Sequence, residues 1–483
     1  MKTLLKKLFS DSAAFAVAMF GNKLVALILV PIWFKYLDNE AIWGTTNAYT
    51  LILTYLCVLG TDAAMAFYFY DSKNEEERRT YFFNAIFFSV SICVGFGVFT
   101  FFAGEPLGIL LYASNEYNQL LFIATLATIG AIIIQHVLGY ARYSGRVWLF
   151  NTFSMAYVIG SNLISVIFVI NGFGVMGLFY GQLIGQSLVA IILLFLFRKE
   201  FVFKLSKAHI SDLIRYGLPL LPTLISFWVL TSVSRPIVLH LSSMENANIM
   251  EASIRVAAFI VLITAPFQLA WRPFSMSIKE REDAPEVFGV VARLLLVVGT
   301  LSIMLLTFVI EPLYKLYISE ADKATGYLYV WPLALGTLFN VLHTVFGVGL
   351  LIKKQTKKIS RSFMIASIIY FIGVFLTVPS YGIWGAVSMT TVAYLVVIIL
   401  VYRQNQKVYP VQFHFKAMMI YLTVYLVSMV GISWIQTHQY EYKWVYYMTA
   451  IVITILTIFI TKLIPVQSLG NIRKILPKLG GKG

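Results

Sequence analysis

The stretch Arg215-Tyr-Gly-Leu-Pro-Leu-Leu-Pro222 opens the most informative part of the chain, a run that ends at Pro273. An apolar segment of membrane-spanning length continues from it, and its three prolines predict a kinked or broken helix: Pro219, Pro222 and Pro236. Membranes tolerate such a break only where neighbouring helices or water satisfy the freed backbone groups. We therefore expect a hinge formed by Gly217, Pro219 and Pro222.

The composition identifies the class of protein. Of the 483 residues, 59% are hydrophobic and only 12% are charged, whereas soluble globular chains carry about 25% charged residues. The sequence therefore predicts an all-α polytopic membrane protein. The formal net charge of +15 would suggest nucleic acid as a partner of a soluble protein, but here the basic residues lie in short loops, and we expect no nucleic-acid partner. Cys57 and Cys93 both lie in apolar segments, so we expect neither a disulfide framework nor a cysteine metal site.

A span needs about 20 mostly apolar residues, and the chain offers fourteen candidates. They are 12–36, 42–70, 81–103, 117–139, 147–170, 176–198, 217–240, 247–272, 287–311, 327–351, 362–380, 383–403, 416–435 and 443–464. With the N-terminus in the cytoplasm, the inner loops and termini carry 29 of the 37 Lys and Arg residues. This bias predicts that both termini are cytoplasmic. No loop is long enough to form a domain.

An internal repeat predicts two similar halves. Gly174 and Gly177, between spans five and six, match Gly382 and Gly385, between spans eleven and twelve, at the same offset in sequence. A basic loop precedes both pairs. Halves with an even number of spans are parallel repeats, related by an axis along the membrane normal. We expect a six-helix lobe at 1–205, a second six-helix lobe at 206–410, and two additional helices with a basic cytoplasmic tail at 411–483.

Two charges lie deep in the first half. Lys23 is about 11 residues into the first span, near the membrane midplane, and Asn22 precedes it. Asp62 lies about 8 residues from the inner end of span two. A charge at this depth costs about 2.5–3.5 kcal/mol on insertion scales. Lys23 and Asp62 therefore either form a structural pair or face a hydrated cavity.

Further charges lie in the second half. Arg235 is near the outer end of span seven and either lines the cavity or extends to the lipid headgroups. Arg255 is deeper, and Glu251 lies four residues before it on the same helix face, so these two side chains can neutralise each other. Deep cations nevertheless outnumber anions. A cavity of this sign suits an anionic cargo, and Arg binds phosphate oxygens through two hydrogen bonds.

Several kinds of chemistry have no motif in this sequence. It has no phosphate-binding loop for ATP, no zinc-protease motif and no serine-hydrolase motif. We therefore expect a protein that is not an enzyme, with no cofactor and no bound metal. An ion gradient is one source of energy for transport, and the coupling ion, Na⁺ or H⁺, stays open.

Four motifs in order resemble the oligosaccharide flippases of the multidrug/oligosaccharidyl-lipid/polysaccharide exporter superfamily. They are Val58–Asp62, Arg215–Pro222, Ala270–Phe274 and Tyr381–Ala386. The resemblance covers about residues 10–410. It implies a V-shaped pair of six-helix lobes, alternating access and a central cationic cavity in a bacterial cytoplasmic membrane. It also places Lys23 where relatives carry a cavity cation.

The cargo implied by the resemblance is an undecaprenyl-pyrophosphate-linked oligosaccharide repeat, moved from the inner to the outer leaflet for surface polysaccharide synthesis. Membrane lipids, a polysaccharide polymerase and a chain-length regulator are the partners that this implies. Three alternatives stay open: a lipid II flippase, a cation-coupled multidrug exporter of the same superfamily, and a glycan polymerase or ligase. The net basic charge disfavours the exporter of organic cations, and the short outer loops disfavour the enzyme.

Overall fold

The structure is a computed structural model that describes residues 21–464 apart from 23, 27, 38 and 318–320. Within this part the chain is helical and contains no strand. The helices of the N-terminal half are α1 Val30–Tyr36, α2 Glu40–Val58, α3 Thr61–Asp71, α4 Glu75–Phe102, α5 Gly104–Tyr112, α6 Asn118–Tyr143, α7 Val147–Phe168 and α8 Gly174–Leu196.

The remaining helices, in chain order, continue the numbering. They are α9 Lys207–Gly217, α10 Leu221–Ser232, α11 Ser234–Leu241, α12 Met244–Ala257, α13 Val261–Ser277, α14 Ala284–Tyr317, α15 Val330–Phe346, α16 Val348–Ile352, α17 Thr356–Tyr381, α18 Ile383–Val408, α19 Phe415–Thr437 and α20 Lys443–Ile460. The all-α prediction is confirmed.

The described residues contain twelve helical stretches long and apolar enough to cross a membrane. One of them, Val147–Leu196, has 50 residues, which at 1.5 Å per residue is about 75 Å and more than twice the hydrocarbon thickness. It therefore supplies two spans, α7 and α8. A shorter apolar helix, Leu24–Tyr36, lies where the first predicted span ends. Together these stretches fit the predicted number of about fourteen.

The first glycine of each repeated turn has the same φ angle. Gly174, between α7 and α8, has φ +52°, and so does Gly382, between α17 and α18. Residues other than glycine rarely adopt this conformation because their Cβ atom is crowded by the backbone. The repeat found in the sequence thus corresponds to a glycine-dependent turn that closes a pair of helices in each half.

Packing divides the chain into two compact units. The first comprises the residues up to Glu251 together with Phe371–Gly382, and the second comprises Ala252–Tyr370 and the chain from Ile383 onward. In the first unit α8 packs along both α6 and α7, and α6 packs against α4. In the second, α15 packs against α14 and α18. The lobe boundaries expected from the sequence, at 205/206 and 410/411, stay predictions.

The segment before α9 is fixed at one end of the first unit by Glu200. The Glu200 carboxylate, 8% exposed as a residue, forms ion pairs with Arg79 and Arg146 and accepts a hydrogen bond from Tyr140. These contacts join the start of α4, the end of α6 and the start of α7. The Ser206 hydroxyl then caps α9 by accepting from the backbone N–H of His209. The connection between the two predicted halves is therefore an ordered part of the first unit.

A buried carboxylate on α14 binds the start of α20 within the second unit. Glu311 on α14 has a side chain 1% exposed, and its Oε1 lies 2.6 Å from the Nζ of Lys443 at the start of α20. Tyr447 donates to the other oxygen at 3.2 Å. The indole N–H of Trp331 donates to Ser433 Oγ on α19 at 2.8 Å. Buried polar contacts thus join α19 to α15 and α20 to α14 within the second unit.

Lys443→Ala is expected to destabilise the folded protein, because it removes the ammonium partner of a buried carboxylate. Breaking a buried pair from one side costs about 3–5 kcal/mol. The measurement is thermal unfolding of the detergent-solubilised protein. Lys416→Ala on the exposed side of α19 is the control and should leave the midpoint unchanged. Equal midpoints for the two variants would show that the pair does not stabilise the fold.

Candidate functional site

Arg235 and Glu251 form an ion pair inside the first unit. Arg235 Nε lies 2.8 Å from Glu251 Oε2, and their side chains are 15% and 5% exposed. The Arg235 Nη1 also donates to the carbonyl oxygen of Thr231 at 2.8 Å. A guanidinium and a carboxylate at this distance neutralise each other, which removes much of the cost of placing either charge in an apolar layer.

A glycine on α2 makes room for the Glu251 carboxylate. A Cβ atom at Gly44 would lie 2.4 Å from both Cδ and Oε2 of Glu251, far inside van der Waals contact. Two further bonds hold α2 against the neighbouring helices: the Ala41 N–H donates to Asn248 Oδ1 at 2.8 Å, and the Trp228 indole N–H donates to the Ala48 carbonyl at 2.7 Å. The ion pair is therefore packed against helix backbone.

These contacts bear on the predicted cavity cations. The Arg235 side chain is 15% exposed and bonded to Glu251, so its charge has a partner inside the first unit. Arg255 lies four residues after Glu251 on α12, half-buried and in the second unit. That Arg235 and Arg255 bind cargo, and that Glu251 balances their charge, stays a prediction. Lys23 lies outside the described residues.

The other predicted polar residues lie on separate helices of the first unit. Asp62 accepts a hydrogen bond from Gln135 Nε2 on α6 at 3.0 Å. Asn22 donates from Nδ2 to Ser154 Oγ on α7 at 3.2 Å. The expected pairing of Asp62 with Lys23 falls on a residue outside the described part of the chain. The structure therefore shows that Asp62 and Asn22 are each held by an amide or hydroxyl group.

Beside Asp62 lies a buried chain of hydrogen bonds. The Thr61 hydroxyl bonds with Ser89 Oγ at 3.1 Å and with His136 Nε2 at 3.2 Å. His136 Nδ1 lies 2.9 Å from the Ile132 carbonyl and is positioned to donate to it. Thr61 belongs to the Val58–Asp62 motif, whereas Ser89 was not predicted. This network joins α3, α4 and α6 where α2 ends and α3 begins.

The predicted hinge lies at a backbone crossing. Between α2 and α3 the chain breaks at Leu59 and Gly60, with φ of +48° and +71°. Gly217 at the end of α9 packs directly on this break: a Cβ added to it would lie 2.2 Å from the Leu59 carbonyl oxygen. Only a residue without a side chain allows two main chains to approach this closely.

Both prolines of the hinge motif lie at helix starts. Pro219 is in a single turn of 3₁₀ helix, Leu218–Leu220, and Pro222 is in the first turn of α10. Proline has no N–H to donate, and the first turn of a helix does not require one. The two prolines of the motif thus lie at helix positions where a missing N–H is tolerated. The hinge role of Gly217, Pro219 and Pro222 stays a prediction.

Several residues that support the predicted ones were not predicted. Gly44, Gln135 and Ser154 each contact a predicted site residue, yet none is charged or aromatic. An isolated glycine inside a long apolar segment is a signal for close backbone approach, and it could have indicated Gly44. Among the described residues, no group of three or more His, Cys, Asp and Glu side chains is placed to hold a metal ion.

Arg235→Ala should lower the thermal stability of the purified protein, since it leaves the Glu251 carboxylate buried without its main counterion. We expect a loss of about 3–5 kcal/mol. The double variant Arg235→Met with Glu251→Leu removes both charges and should regain most of that stability. If the single variant is as stable as the unmodified protein, the pair is not a structural element.

Gly217→Ala should destabilise the first unit, because its methyl group would overlap the Leu59 carbonyl. Overpacking of this kind costs about 1–3 kcal/mol or more. Gly160→Ala on α7 is a matched control, since nothing lies within 4 Å of a Cβ there. Size-exclusion profiles and melting curves in detergent measure the difference. Identical behaviour of both variants would contradict the tight crossing.

Comparison with known proteins identifies one matching family model and several solved structures of similar fold. The family model described as polysaccharide biosynthesis protein matches residues 66–284. No curated protein matches the chain by sequence. Among solved structures, the lipid II flippase MurJ in an inward closed conformation aligns with a TM-score of 0.73 at 16% identity, over 94% of this chain and 99% of that one.

Two further structures show the same fold at greater distance. An inward-facing MATE-family multidrug transporter of the MOP superfamily has a TM-score of 0.54 at 13% identity, over 83% of this chain and 93% of that one. A MOP-superfamily transporter from Pyrococcus furiosus has a TM-score of 0.53 at 18% identity, over 83% and 96%. The predicted resemblance is thereby confirmed: the chain is a multi-pass membrane protein with the fold of these transporters, and its residues 66–284 are similar to polysaccharide biosynthesis proteins.

Proposed function

We propose that the protein moves an undecaprenyl-pyrophosphate-linked oligosaccharide repeat from the inner to the outer leaflet of a bacterial cytoplasmic membrane, for surface polysaccharide synthesis. The observation that carries this proposal is the combination of a polysaccharide-biosynthesis match over residues 66–284 with a MurJ-like fold over 94% of the chain. In this proposal both termini are cytoplasmic, as the distribution of basic residues indicates.

The extent of the structural match favours a lipid-carrier cargo over a drug. The MurJ alignment takes in about 50 more residues of this chain than the MATE alignment, a length sufficient for two membrane spans. The buried Glu311 carboxylate on α14 contacts both α19 and α20, through Gln436 and Lys443. The additional helices are thus an integral part of the fold, which supports a role in handling a long prenyl chain.

The charges support a pyrophosphate cargo with one refinement. Arg235 is matched by Glu251, so it does not add net charge to a cavity. In the proposed mechanism Lys23 and Arg255 bind the pyrophosphate, and Arg235 with Glu251 presents a neutral but polar pair. Alternating access then proceeds by rocking of the helices about Gly217, Pro219 and Pro222. The coupling ion, Na⁺ or H⁺, is not assigned.

The experiment is an analysis of lipid-linked glycans in a strain that lacks the gene. Deletion should cause a completed repeat on undecaprenyl pyrophosphate to accumulate, with loss of surface polymer. Expression of the unmodified chain should restore export, and Lys23→Ala at normal protein level should reduce it at least tenfold. Lys2→Ala, in the N-terminal segment before the first span, is the control. Unchanged lipid intermediates and unchanged surface polymer in the deletion strain would contradict the proposal.

A second function, flipping of lipid II for cell-wall synthesis, is favoured by the likeness to MurJ. Depletion would then be lethal, lipid II would accumulate, and surface polysaccharide would be lost only as a consequence of cell death. The chemical identity of the accumulated lipid therefore distinguishes the two cargoes.

A further inference from the structure

A polar cavity lies inside the first unit, apart from the Arg235–Glu251 pair. It has a volume of about 470 Å³ and is bounded by α2, α6, α7 and α8. Its walls carry hydroxyl and carboxamide groups, among them Asn47, Thr50, Thr128, Ser161, Asn162 and Gln186. None of the described residues that line it is Asp, Glu, Lys, Arg or His. The cavity is therefore polar and uncharged.

Two buried polar groups of the cavity wall have no hydrogen-bond partner within the described part of the protein. Ser161 is 4% exposed and Gln186 is 8% exposed. Neither Ser161 Oγ nor Gln186 Oε1 bonds to another described group. They lie 14 and 12 residues after the first residues of α7 and α8, about 20 Å along each helix from its start. Buried polar atoms are almost always bonded, so these two indicate a polar occupant.

The cavity wall offers both hydrogen-bond acceptors and donors. The hydroxyls of Thr50 and Thr128 donate to carbonyl oxygens of their own helices, at 3.0 and 2.8 Å, so their lone pairs can accept from a ligand. The carboxamides of Gln182 and Gln186 carry N–H donors as well as acceptor oxygens. A fitting ligand therefore both donates and accepts, as hydroxyl groups do.

Charge and size narrow the class of ligand. A phosphate or carboxylate in this cavity would have no counter-charge among the lining residues, which is costly. A single dehydrated cation needs oxygens that converge tightly, whereas this cavity exceeds many times the roughly 30 Å³ that one water occupies. Apolar wall residues, Leu51, Ala127 and Ala131, and the ring of Tyr157 provide surfaces for the C–H faces of a sugar.

We propose that this cavity binds the uncharged sugar part of the cargo, one or two residues, while the pyrophosphate is bound by cations elsewhere. The inference rests on the proposed function and adds a glycan subsite to it. Ser161 and Gln186 are its central contacts, and the hydroxyls of Thr50 and Thr128 accept hydrogen bonds from sugar hydroxyls. Specificity for the glycan then resides in α7 and α8.

The test compares two probes on the purified full-length protein in nanodiscs. One probe is the carrier-linked glycan extracted from the deletion strain, and the other is undecaprenyl pyrophosphate without sugar. The unmodified protein should bind the glycosylated probe more tightly. The variant Ser161→Ala with Gln186→Met removes two neutral hydrogen bonds, and its affinity for the glycosylated probe should fall about tenfold or more. Its affinity for the bare carrier should not change.

A milder substitution covers the case in which the double variant does not fold. Thr128→Val keeps the shape of the side chain and removes a cavity hydroxyl. Thr307→Val is its matched control, because Thr307 is equally buried and its hydroxyl also donates one turn back at 2.8 Å. Only Thr128→Val should weaken binding of the glycosylated probe.

The outcomes separate the subsite from the proposed function. Equal affinity of the unmodified protein for both probes overturns the subsite alone, and an equal loss for both probes in the variants does the same. A melting temperature that rises with NaCl but not with KCl, and only when Ser161 and Gln186 are intact, overturns it in favour of an ion site. If neither probe binds the unmodified protein, the proposed transport of a carrier-linked glycan fails as well.

Discussion

A formal charge placed in a hydrocarbon layer has to be neutralised by the protein itself, and this constraint organises both units. In the first unit Arg235 is bonded to Glu251, and Gly44 on α2 leaves space for that carboxylate. In the second, Glu311 is bonded to Lys443 and Tyr447. The first pair joins the consecutive helices α11 and α12, whereas the second joins α14 and α20, whose paired residues are 132 positions apart. The charged residues that are costly to place in an apolar layer therefore help to determine which helices pack together.

A second constraint is steric and concerns backbone. The crossing of Gly217 with Leu59 and Gly60 brings two main chains into direct contact, at a point where α2 and α3 are already broken. Directly after this contact, Pro219 and Pro222 lie in the first positions of a 3₁₀ turn and of α10. The close backbone contact and the two prolines thus lie within six residues of each other, and rocking of helices about this junction stays a prediction.

Much of the fold could be predicted from the sequence, because hydrophobic runs of about 20 residues and the bias of basic loops are strong signals. The predicted spans agree with the helices, and the repeated Gly-x-x-Gly turns share their φ angle. The charged residues within the spans could also be predicted from the sequence. The contact between Arg235 and Glu251 could not, because the two residues are sixteen positions apart and the 2.8 Å distance between them depends on how two helices pack.

Counting charges along the sequence therefore overstates the positive charge available to a ligand. The neutral residues of the site were harder to predict still. Gly44 and Gly60 matter because the absence of a side chain allows a close contact. Ser161 Oγ and Gln186 Oε1 matter because no group in the described part of the chain forms a hydrogen bond with them. These properties arise only when helices from different parts of the chain meet, and no local pattern of hydrophobicity or charge reports them.

The bond between Glu311 and Lys443 also affects how the protein is made. The two residues are 132 positions apart, and ribosomes add about 5–20 residues per second. During synthesis the α14 segment therefore exists for roughly 7–26 s before the ammonium group that neutralises it has been polymerised. In that interval the glutamate has to stay protonated, hydrated or shielded by the insertion machinery. The Glu311–Lys443 ion pair therefore forms late in biogenesis, after α20 has been synthesised.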